Sequence, residues 1–323
     1  MKKKVFVARA IFPETIARLS EYFEVDANSD DRNLTREEFC DRLGRAHGVF
    51  LAGERVDAEA IAGAPLLKAV SNMSVGYNNL DLPALRERGI VATNTPDVLN
   101  ETVADFGWAL MMCAARRVAE ADRWTRKGAW SGWSYDMFLG GDVHGSTLGI
   151  IGMGRIGRAI ARRAVGFNMN VLYYNRSRCP VEVEREVNAR YVAKDELLKN
   201  ADHVLLVLPY SPDTHHTIAE RELQLMKPTA TITNIGRGGI VDDDALLDAL
   251  IDKRIGAAAL DVFENEPRFN PGFLTLDNVV LTPHMAPASE FTRRRMADLA
   301  AENLIAALGE GVNAGHPPNI IDV

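Results

Sequence analysis

Short apolar runs alternate with amphipathic stretches through the first third of the chain. Apolar runs rich in β-branched and aromatic residues predict strands at residues 5–8, 24–26, 48–52, 67–71 and 90–93. Helical patterns predict helices at residues 13–23, from Thr35 onward, at 56–62 and at 82–88. Thr35 and Glu38 have the three-residue spacing of a capping box, which marks a helix start. Alternation of strands and helices predicts a parallel sheet with helices on both faces.

The pattern then changes to a long helix and returns to strands. Residues 101–127 predict one long helix, with Val103, Phe106, Leu110 and Met111 along its buried side. A second series follows, with predicted strands at residues 148–151, 171–174, 203–208, 230–234, 257–260 and 279–282 and helices between them. Residues 289–308 predict a final helix. The fold class is therefore α/β, with two doubly wound parallel-sheet domains.

Composition narrows the class of protein. The chain has 323 residues, enough for two domains, and a net charge of −7 with charges of both signs interspersed. This balance argues against nucleic acid or an anionic membrane as the main partner. Cys40, Cys113 and Cys179 lack the spacing of a disulfide framework or a zinc site, so we expect no metal. Arg9 interrupts the first apolar run too early for a signal peptide, and we expect a cytoplasmic protein.

A glycine-rich turn at residues 148–157 is the most informative motif. Gly152, Gly154 and Gly157 give the G-x-G-x-x-G spacing between a predicted strand and a predicted helix. The first glycine permits the tight turn, the second admits a pyrophosphate and the third allows close packing of helix on strand. The helix N-terminus offers N–H groups and a positive dipole end to phosphate. The motif therefore predicts dinucleotide binding.

Polar residues also follow three later predicted strands. Arg237 lies between glycines after one of them, and its planar guanidinium suits a carboxylate. An acidic segment, residues 261–267, follows the next strand, and His284 follows the last. A glutamate beside a histidine favours the imidazolium, which is a suitable general acid for a ketone oxygen. With a dinucleotide as the hydride source, this set describes a 2-oxoacid reductase.

These motifs together resemble the D-isomer-specific 2-hydroxyacid dehydrogenase family over nearly the whole chain. Residues 74–81 resemble its substrate-carboxylate loop, residues 234–241 its arginine motif, and Pro283-His284 its histidine motif. The resemblance implies that Arg237 binds substrate and that His284 is the acid/base, supported by Glu266 rather than Glu264. It also implies that the backbone N–H groups of Val75 and Gly76 bind substrate, and that Asp261 contacts the nicotinamide end of the cofactor.

The family resemblance further implies a domain plan and additional cofactor contacts. A flavodoxin-like substrate domain of residues 1–100 and 286–323 would carry an inserted Rossmann domain of residues 101–285. A homodimer would form through the nucleotide-binding domain. The implied cofactor contacts beyond the three glycines are Arg155, Ile156, Pro209, Thr214 and Ile235.

The turn after the second strand of the Rossmann domain bears on cofactor choice. NAD-specific sites place an acidic residue about 20 residues after the first glycine, on the ribose 2′-hydroxyl. Asn175 stands at about that position, followed by Arg176, Ser177 and Arg178. Two cations and a hydroxyl suit a 2′-phosphate. The sequence favours NADP(H), with NAD(H) as the alternative if the turn is merely solvated.

Within the family, the chain is most similar to the glyoxylate/hydroxypyruvate/2-ketogluconate reductase branch. The expected substrate is a small 2-oxoacid. Glu266 counts against a formate dehydrogenase, because formate oxidation needs no acid/base on oxygen. A phosphite dehydrogenase shares the fold and remains an alternative. A dinucleotide-sensing corepressor that acts through protein contacts is the non-enzymatic alternative.

Overall fold

The computed structural model describes residues 2–322 and divides the chain into two compact units. The first unit is Met1–Leu99 with Ala288–Val323, and the second is Asn100–Pro287. The three cysteines are free thiols. Among the described residues, no helix is both long and apolar enough to span a bilayer.

The first unit is a five-stranded parallel sheet with helices on both faces. Its strands are β1 Lys4–Val7, β2 Glu24–Ala27, β3 Gly48–Leu51, β4 Ala69–Asn72 and β5 Val91–Thr93, in the order β2-β1-β3-β4-β5. Its helices are α1 Pro13–Tyr22, α2 Arg36–Gly44, α3 Ala58–Ala62, α4 Leu82–Glu87 and α12 Glu290–Ala307. This is the flavodoxin-like strand order.

Alternating residues of the strands build two cores in this unit. Val5 and Val7 of β1 face the helices α1 and α12, while Phe6 packs with residues of α2 and α3. The side chains of successive strand residues point to opposite faces, so an uninterrupted apolar run is what a sheet covered on both sides requires. The predicted capping box at Thr35 and Glu38 is present at the start of α2.

The second unit is a seven-stranded parallel sheet. Its strands are β6 Thr147–Ile151, β7 Asn170–Tyr174, β8 Ala189–Tyr191, β9 His203–Leu206, β10 Thr231–Asn234, β11 Ala257–Leu260 and β12 Val279–Leu281. Its helices are α5 Asn100–Ala115, α6 Val118–Arg126, α7 Arg155–Gly166, α8 Val181–Glu186, α9 Lys194–Asn200, α10 Glu220–Leu225 and α11 Asp243–Ile251. The strand order is β12-β11-β10-β9-β6-β7-β8, which contains the Rossmann arrangement. All strands are parallel, and the order in which they follow the chain changes direction between β6 and β9. Ligands of such sheets bind beyond the carboxyl ends of the strands at this point.

The structure of this unit differs from the sequence-based predictions in three details. The predicted single helix at residues 101–127 is two helices, because Arg117 adopts a left-handed φ of 55° and interrupts the helical hydrogen bonding. The edge strand β8 was not predicted, because its three residues lack an apolar run and only one neighbouring strand pairs with it. Phe106 of α5 is half-buried rather than buried.

Candidate active site

The predicted dinucleotide motif forms the turn between β6 and α7. Gly152 has a φ of +109°, and a Cβ there would lie 2.3 Å from the Val207 carbonyl oxygen. A Cβ on Gly157 would lie 2.2 Å from the Gly152 carbonyl oxygen. Both contacts exclude any side chain, so these two glycines bring strand, turn and helix together as the motif requires.

Gly154, by contrast, faces open space. Within residues 2–322, and apart from the adjoining backbone, no atom lies within 4 Å of the position where its Cβ would be. Gly154 is also the N-cap of α7 and has no side chain to bond the first-turn N–H groups, which belong to Arg155, Ile156 and Gly157. An open surface beside the N-terminus of a twelve-residue helix fits the pyrophosphate of a dinucleotide.

The turn after β7 contacts this glycine turn directly. The Asn175 side-chain oxygen accepts a hydrogen bond from the Met153 N–H at 2.6 Å. Arg176 and Ser177 are exposed. Arg178, the second cation that the sequence predicts for the phosphate, donates from its Nε and Nη2 to Glu184 at 2.8 and 2.7 Å.

The other predicted cofactor contacts lie on loops that follow β9 and β10. The Thr214 hydroxyl donates to the Pro209 carbonyl at 2.9 Å and so closes the loop after β9. Ile235 is 6% exposed, and its side chain occupies the space beside Gly107 of α5. Contact of Ile235 with a cofactor stays a prediction, and its side chain is already packed against α5.

His284 and Glu266 form a hydrogen-bonded pair. The His284 Nδ1 lies 2.8 Å from Glu266 Oε2, and Glu266 Oε1 accepts the Phe263 N–H at 2.8 Å. Burial raises the pKa of Glu266, but these two hydrogen bonds and the charge of Arg237 outweigh burial and hold the pKa below its ordinary value. Glu266 is therefore a carboxylate at neutral pH. His284 has a φ of +51°, a conformation that costs energy for a non-glycine residue and is frequent at functional sites.

Arg237 lies in the turn after β10 that the flanking glycines make possible. A Cβ on Gly238 would lie 1.7 Å from the Phe263 carbonyl oxygen, so only glycine lets the turn approach this backbone. Burial lowers the pKa of the Arg237 guanidinium, and the carboxylate of Glu266 opposes that effect. The guanidinium stays protonated at any physiological pH. The structure thus brings Arg237, Glu266 and His284 into one electrostatic cluster.

Asp261 has partners that sequence reasoning missed. It is fully buried, and its carboxylate accepts hydrogen bonds from the Thr282 hydroxyl and from the N–H groups of Met285 and Ala286, at 2.7 to 2.9 Å. These bonds fix the turn that carries His284. Contact with the nicotinamide end of a cofactor stays a prediction for Asp261, and its carboxylate is already held by the chain.

A second histidine–glutamate pair lies in the same unit. The His216 Nε2 is 2.8 Å from Glu264 Oε1, and its ring stacks on that of His215 with 3.8 Å between centroids. The ligand atoms of His215, His216 and Glu264 lie within 4.8 Å of one another. The pair of His216 and Glu264 could not be predicted from the sequence, because the two residues are far apart in the chain. Arg237 couples electrostatically to Glu266, which distinguishes the His284 pair from this one.

Val75 and Gly76 lie in the first unit, in the loop after β4. Their carbonyl oxygens accept hydrogen bonds from the side-chain amides of Asn94 and Asn72, at 2.9 and 2.8 Å. Within residues 2–322, no acceptor is found for the N–H groups of Val75 and Gly76. The loop therefore presents two N–H donors, which is what an anion-binding turn requires.

Comparisons with known proteins identify the relatives of this chain. Residues 108–286 match the family described as D-isomer specific 2-hydroxyacid dehydrogenase, NAD binding domain. The chain is 46% identical over its full length to a glyoxylate reductase of Thermococcus gammatolerans, covering 96% of that protein.

Two solved structures illustrate the likeness in three dimensions. A glyoxylate reductase from Paecilomyes thermophila is 32% identical with a TM-score of 0.88, over 99% of this chain and 98% of that one. An NADPH-dependent glyoxylate/hydroxypyruvate reductase from Sinorhizobium meliloti, in complex with NADP and malonate, is 31% identical with a TM-score of 0.84 over the full length of both chains. The chain belongs to the D-isomer-specific 2-hydroxyacid dehydrogenase family and is an oxidoreductase with an NAD-binding domain.

Proposed function

We propose that this oxidoreductase uses NADPH to reduce a small 2-oxoacid, namely glyoxylate, hydroxypyruvate or 2-ketogluconate, to the D-2-hydroxyacid. The observation that carries the proposal is the 2.8 Å pair of His284 and Glu266, with Arg237 coupled to the same carboxylate. The glyoxylate reductases among its relatives support the substrate class. A panel of 2-oxoacids, including pyruvate and phenylpyruvate, tests the proposal through the loss of NADPH absorbance.

His284 is proposed as the general acid. When bound, the nicotinamide cofactor supplies the hydride that the carbonyl carbon of the 2-oxoacid accepts. The carbonyl oxygen takes its proton from His284. Because Nδ1 faces Glu266, the proton given to substrate is carried on Nε2. Glu266 keeps the ring oriented and stabilises the imidazolium before the transfer.

Arg237, Val75 and Gly76 are proposed to bind the substrate. The Arg237 guanidinium can donate two parallel hydrogen bonds to a carboxylate or to a carboxylate and the adjacent keto oxygen. Its burial strengthens these contacts, because solvent competes less with the ligand. Val75 and Gly76 of the first unit are proposed as further substrate-binding residues through their N–H groups. Under this proposal, the first unit is the substrate domain and the second is the nucleotide-binding domain.

Glu266→Gln is expected to change the pH profile of kcat/KM for reduction. Glu266 is ionised at neutral pH and its carboxylate faces Nδ1 of His284, whereas the neutral amide of glutamine lacks that charge. Initial rates across the acidic, neutral and alkaline range measure the change. Glu264→Gln is the matched control, because it removes the acid beside His216 and should leave the profile as it is in the wild type. An unchanged profile in Glu266→Gln would contradict the role of Glu266.

The proposed preference for NADPH rests on the turn after β7. Asn175 occupies the position of the acid that NAD-specific sites use, and Arg176 and Ser177 are exposed beside it. The similarity to an NADPH-dependent reductase solved with NADP also favours this cofactor. NADH remains the alternative cofactor.

Arg176→Ala is expected to raise KM for NADPH about 10- to 150-fold, because one hydrogen bond to a charged group contributes about 1.5–3 kcal/mol. KM for NADH should change little, since NADH has no 2′-phosphate. Asn175→Asp should reinforce the change, because a carboxylate repels the phosphate and accepts from the ribose hydroxyl. Steady-state kinetics with both cofactors measure the effect. Equal weakening of both would mean that this turn is only a solvated basic loop.

A homodimer through the nucleotide-binding domain is proposed as the assembly. The segment between α6 and β6 exposes large apolar side chains, with Trp130 61%, Trp133 81%, Tyr135 80% and Leu139 66% exposed. Aromatic residues at this density are typical of protein–protein interfaces. Sedimentation velocity of the wild type and of Trp133→Glu tests the proposal, which fails if the wild type sediments as a monomer.

A further inference from the structure

The loop of residues 175–179, between β7 and α8, is held at its first residue by two groups. The Asn175 side-chain oxygen accepts the Met153 N–H at 2.6 Å, and the Asn175 carbonyl accepts the Tyr191 hydroxyl at 3.3 Å. The Asn175 amide also contacts the Cys179 sulfur at 3.4 Å. This end of the loop is therefore tied both to the glycine turn and to the neighbouring strand β8.

A buried carboxylate holds the other end of the loop. Glu184 of α8 is 7% exposed and accepts hydrogen bonds from Arg178 at 2.8 and 2.7 Å and from the Tyr173 hydroxyl at 2.6 Å. The Tyr173 hydroxyl in turn accepts the Cys179 N–H at 2.9 Å. Tyr173 is fully buried in β7. We refer to Tyr173, Arg178 and Glu184 as the Glu184 network.

The Glu184 network leaves an uneven distribution of charge along the loop. Hydrogen bonds from Arg178 and Tyr173 lower the pKa of Glu184 to about 2, so the carboxylate is ionised throughout the neutral range. It offsets the charge of Arg178 and occupies one edge of that guanidinium. Arg176 and Ser177, between the two fixed ends, are exposed. The loop thus presents one cation and one hydroxyl from a backbone fixed on both sides.

We propose that the Glu184 network positions Arg176 and Ser177 to bind the 2′-phosphate of NADP(H), with Arg178 as a positioning residue and not a phosphate ligand. This inference rests on the proposed preference for NADPH. It separates two residues that look equivalent in the sequence Asn-Arg-Ser-Arg. Ordering the loop before the ligand arrives removes an entropic cost from binding, which is how a residue that never touches phosphate sets specificity.

The test is direct titration of NADP⁺ and NAD⁺ by calorimetry, without any 2-oxoacid, on the wild type, Arg178→Ala, Glu184→Gln and the double variant. Each single variant should raise Kd for NADP⁺ by about tenfold, as expected for groups coupled in one hydrogen-bond network. The double variant should also lose about tenfold rather than about a hundredfold, because both changes disrupt the same network. Kd for NAD⁺ should change by less than about twofold, because NAD⁺ has no 2′-phosphate for the loop to bind.

Two further variants keep the test decisive. Arg190→Ala is the matched control, because Arg190 forms an exposed pair with Glu196 in the same unit and its loss should leave both Kd values unchanged. Tyr173→Phe removes only the hydroxyl from the network and should weaken NADP⁺ in the same direction. Tyr173→Phe takes the place of Glu184→Gln in the test if Glu184→Gln fails to fold.

The alternatives give distinct results. If Arg178 were a direct phosphate ligand, Arg178→Ala would weaken NADP⁺ while Glu184→Gln left it unchanged or tightened it, and the inference would be wrong. Equal weakening of NADP⁺ and NAD⁺ would also overturn it. If the wild type binds NADP⁺ no tighter than NAD⁺, the cofactor proposal fails and this inference fails with it. A wild-type preference for NADP⁺ that all the variants retain would overturn the network alone.

Discussion

His284→Ala is expected to lower kcat for 2-oxoacid reduction by about 10²–10⁴-fold, the usual contribution of a positioned general acid. Without the imidazole, the carbonyl oxygen must take its proton from water while the new C–H bond forms. Kd for NADPH should stay within about twofold of the wild type, because the effect belongs to proton transfer and not to nucleotide binding. Steady-state rates give kcat, and fluorescence titration gives Kd.

His216→Ala is the control that separates the two histidine–glutamate pairs. Both pairs have an N···O distance of 2.8 Å, so geometry within the pair does not distinguish them. The charge of Arg237 acts on the Glu266 pair, where it helps to lower the pKa of Glu266. We therefore expect His216→Ala to keep most of its activity. Near wild-type turnover in His284→Ala, or an equal loss in both variants, would contradict the assignment of the general acid.

Arg237→Ala is expected to lower kcat/KM by about 10²–10⁴-fold, because two hydrogen bonds to a charged group contribute about 3–6 kcal/mol together. Arg237→Lys should recover part of the loss, since lysine keeps the charge but cannot form the bidentate pair. Burial lowers the pKa of Arg237, and for the same reason water is a poor substitute for the guanidinium in the alanine variant. Steady-state kinetics on glyoxylate and hydroxypyruvate measure the effect.

A carboxylate-free aldehyde provides the control for this prediction. If Arg237 binds the carboxylate, the wild type and Arg237→Ala should reduce such an aldehyde at similar, low rates. Arg190→Ala, which removes an exposed cation of the same unit, should be silent. The role of Arg237 would be wrong if Ala and Lys variants behaved alike and both remained active on 2-oxoacids.

Most strands and helices could be predicted from short stretches of sequence, because each element of this class of fold has its own pattern of apolar residues. Strands buried on both faces read as uninterrupted apolar runs, as in Val5-Phe-Val and Gly48-Val-Phe-Leu. The right-handed crossover rule then leaves few arrangements for alternating strands and helices. Edge strand β8 has the reverse property, with intermediate or exposed residues throughout, and its pattern carried no signal. Arg117, whose left-handed conformation divides the predicted long helix, is neither glycine nor proline. The sequence therefore does not mark the break.

Part of the candidate site could also be predicted from the sequence, because of the way parallel strands end. Parallel strands end at a common edge, so residues that follow separate strands, such as Arg237 and His284, are expected to lie at the same edge of the sheet. Pairings between distant positions had no such signal. The hydrogen bonds that the turn after His284 donates to Asp261, and those that Arg178 donates to Glu184, depend on how loops pack. The pairing with Glu184 is the basis of our proposal that Arg178 positions the loop, whereas the sequence alone predicts it as a second cation for the phosphate.

The most direct measurement is the reaction of the purified enzyme with hydroxypyruvate, supplied with NADPH or with NADH, followed by chiral analysis of the product. We predict loss of NADPH absorbance with formation of D-glycerate, and a higher kcat/KM for NADPH than for NADH. Reduction of NADP⁺ by phosphite without any 2-oxoacid activity would identify the phosphite dehydrogenase alternative. Nucleotide binding without turnover of any 2-oxoacid or phosphite would favour a nucleotide sensor, and either result would contradict the proposed function.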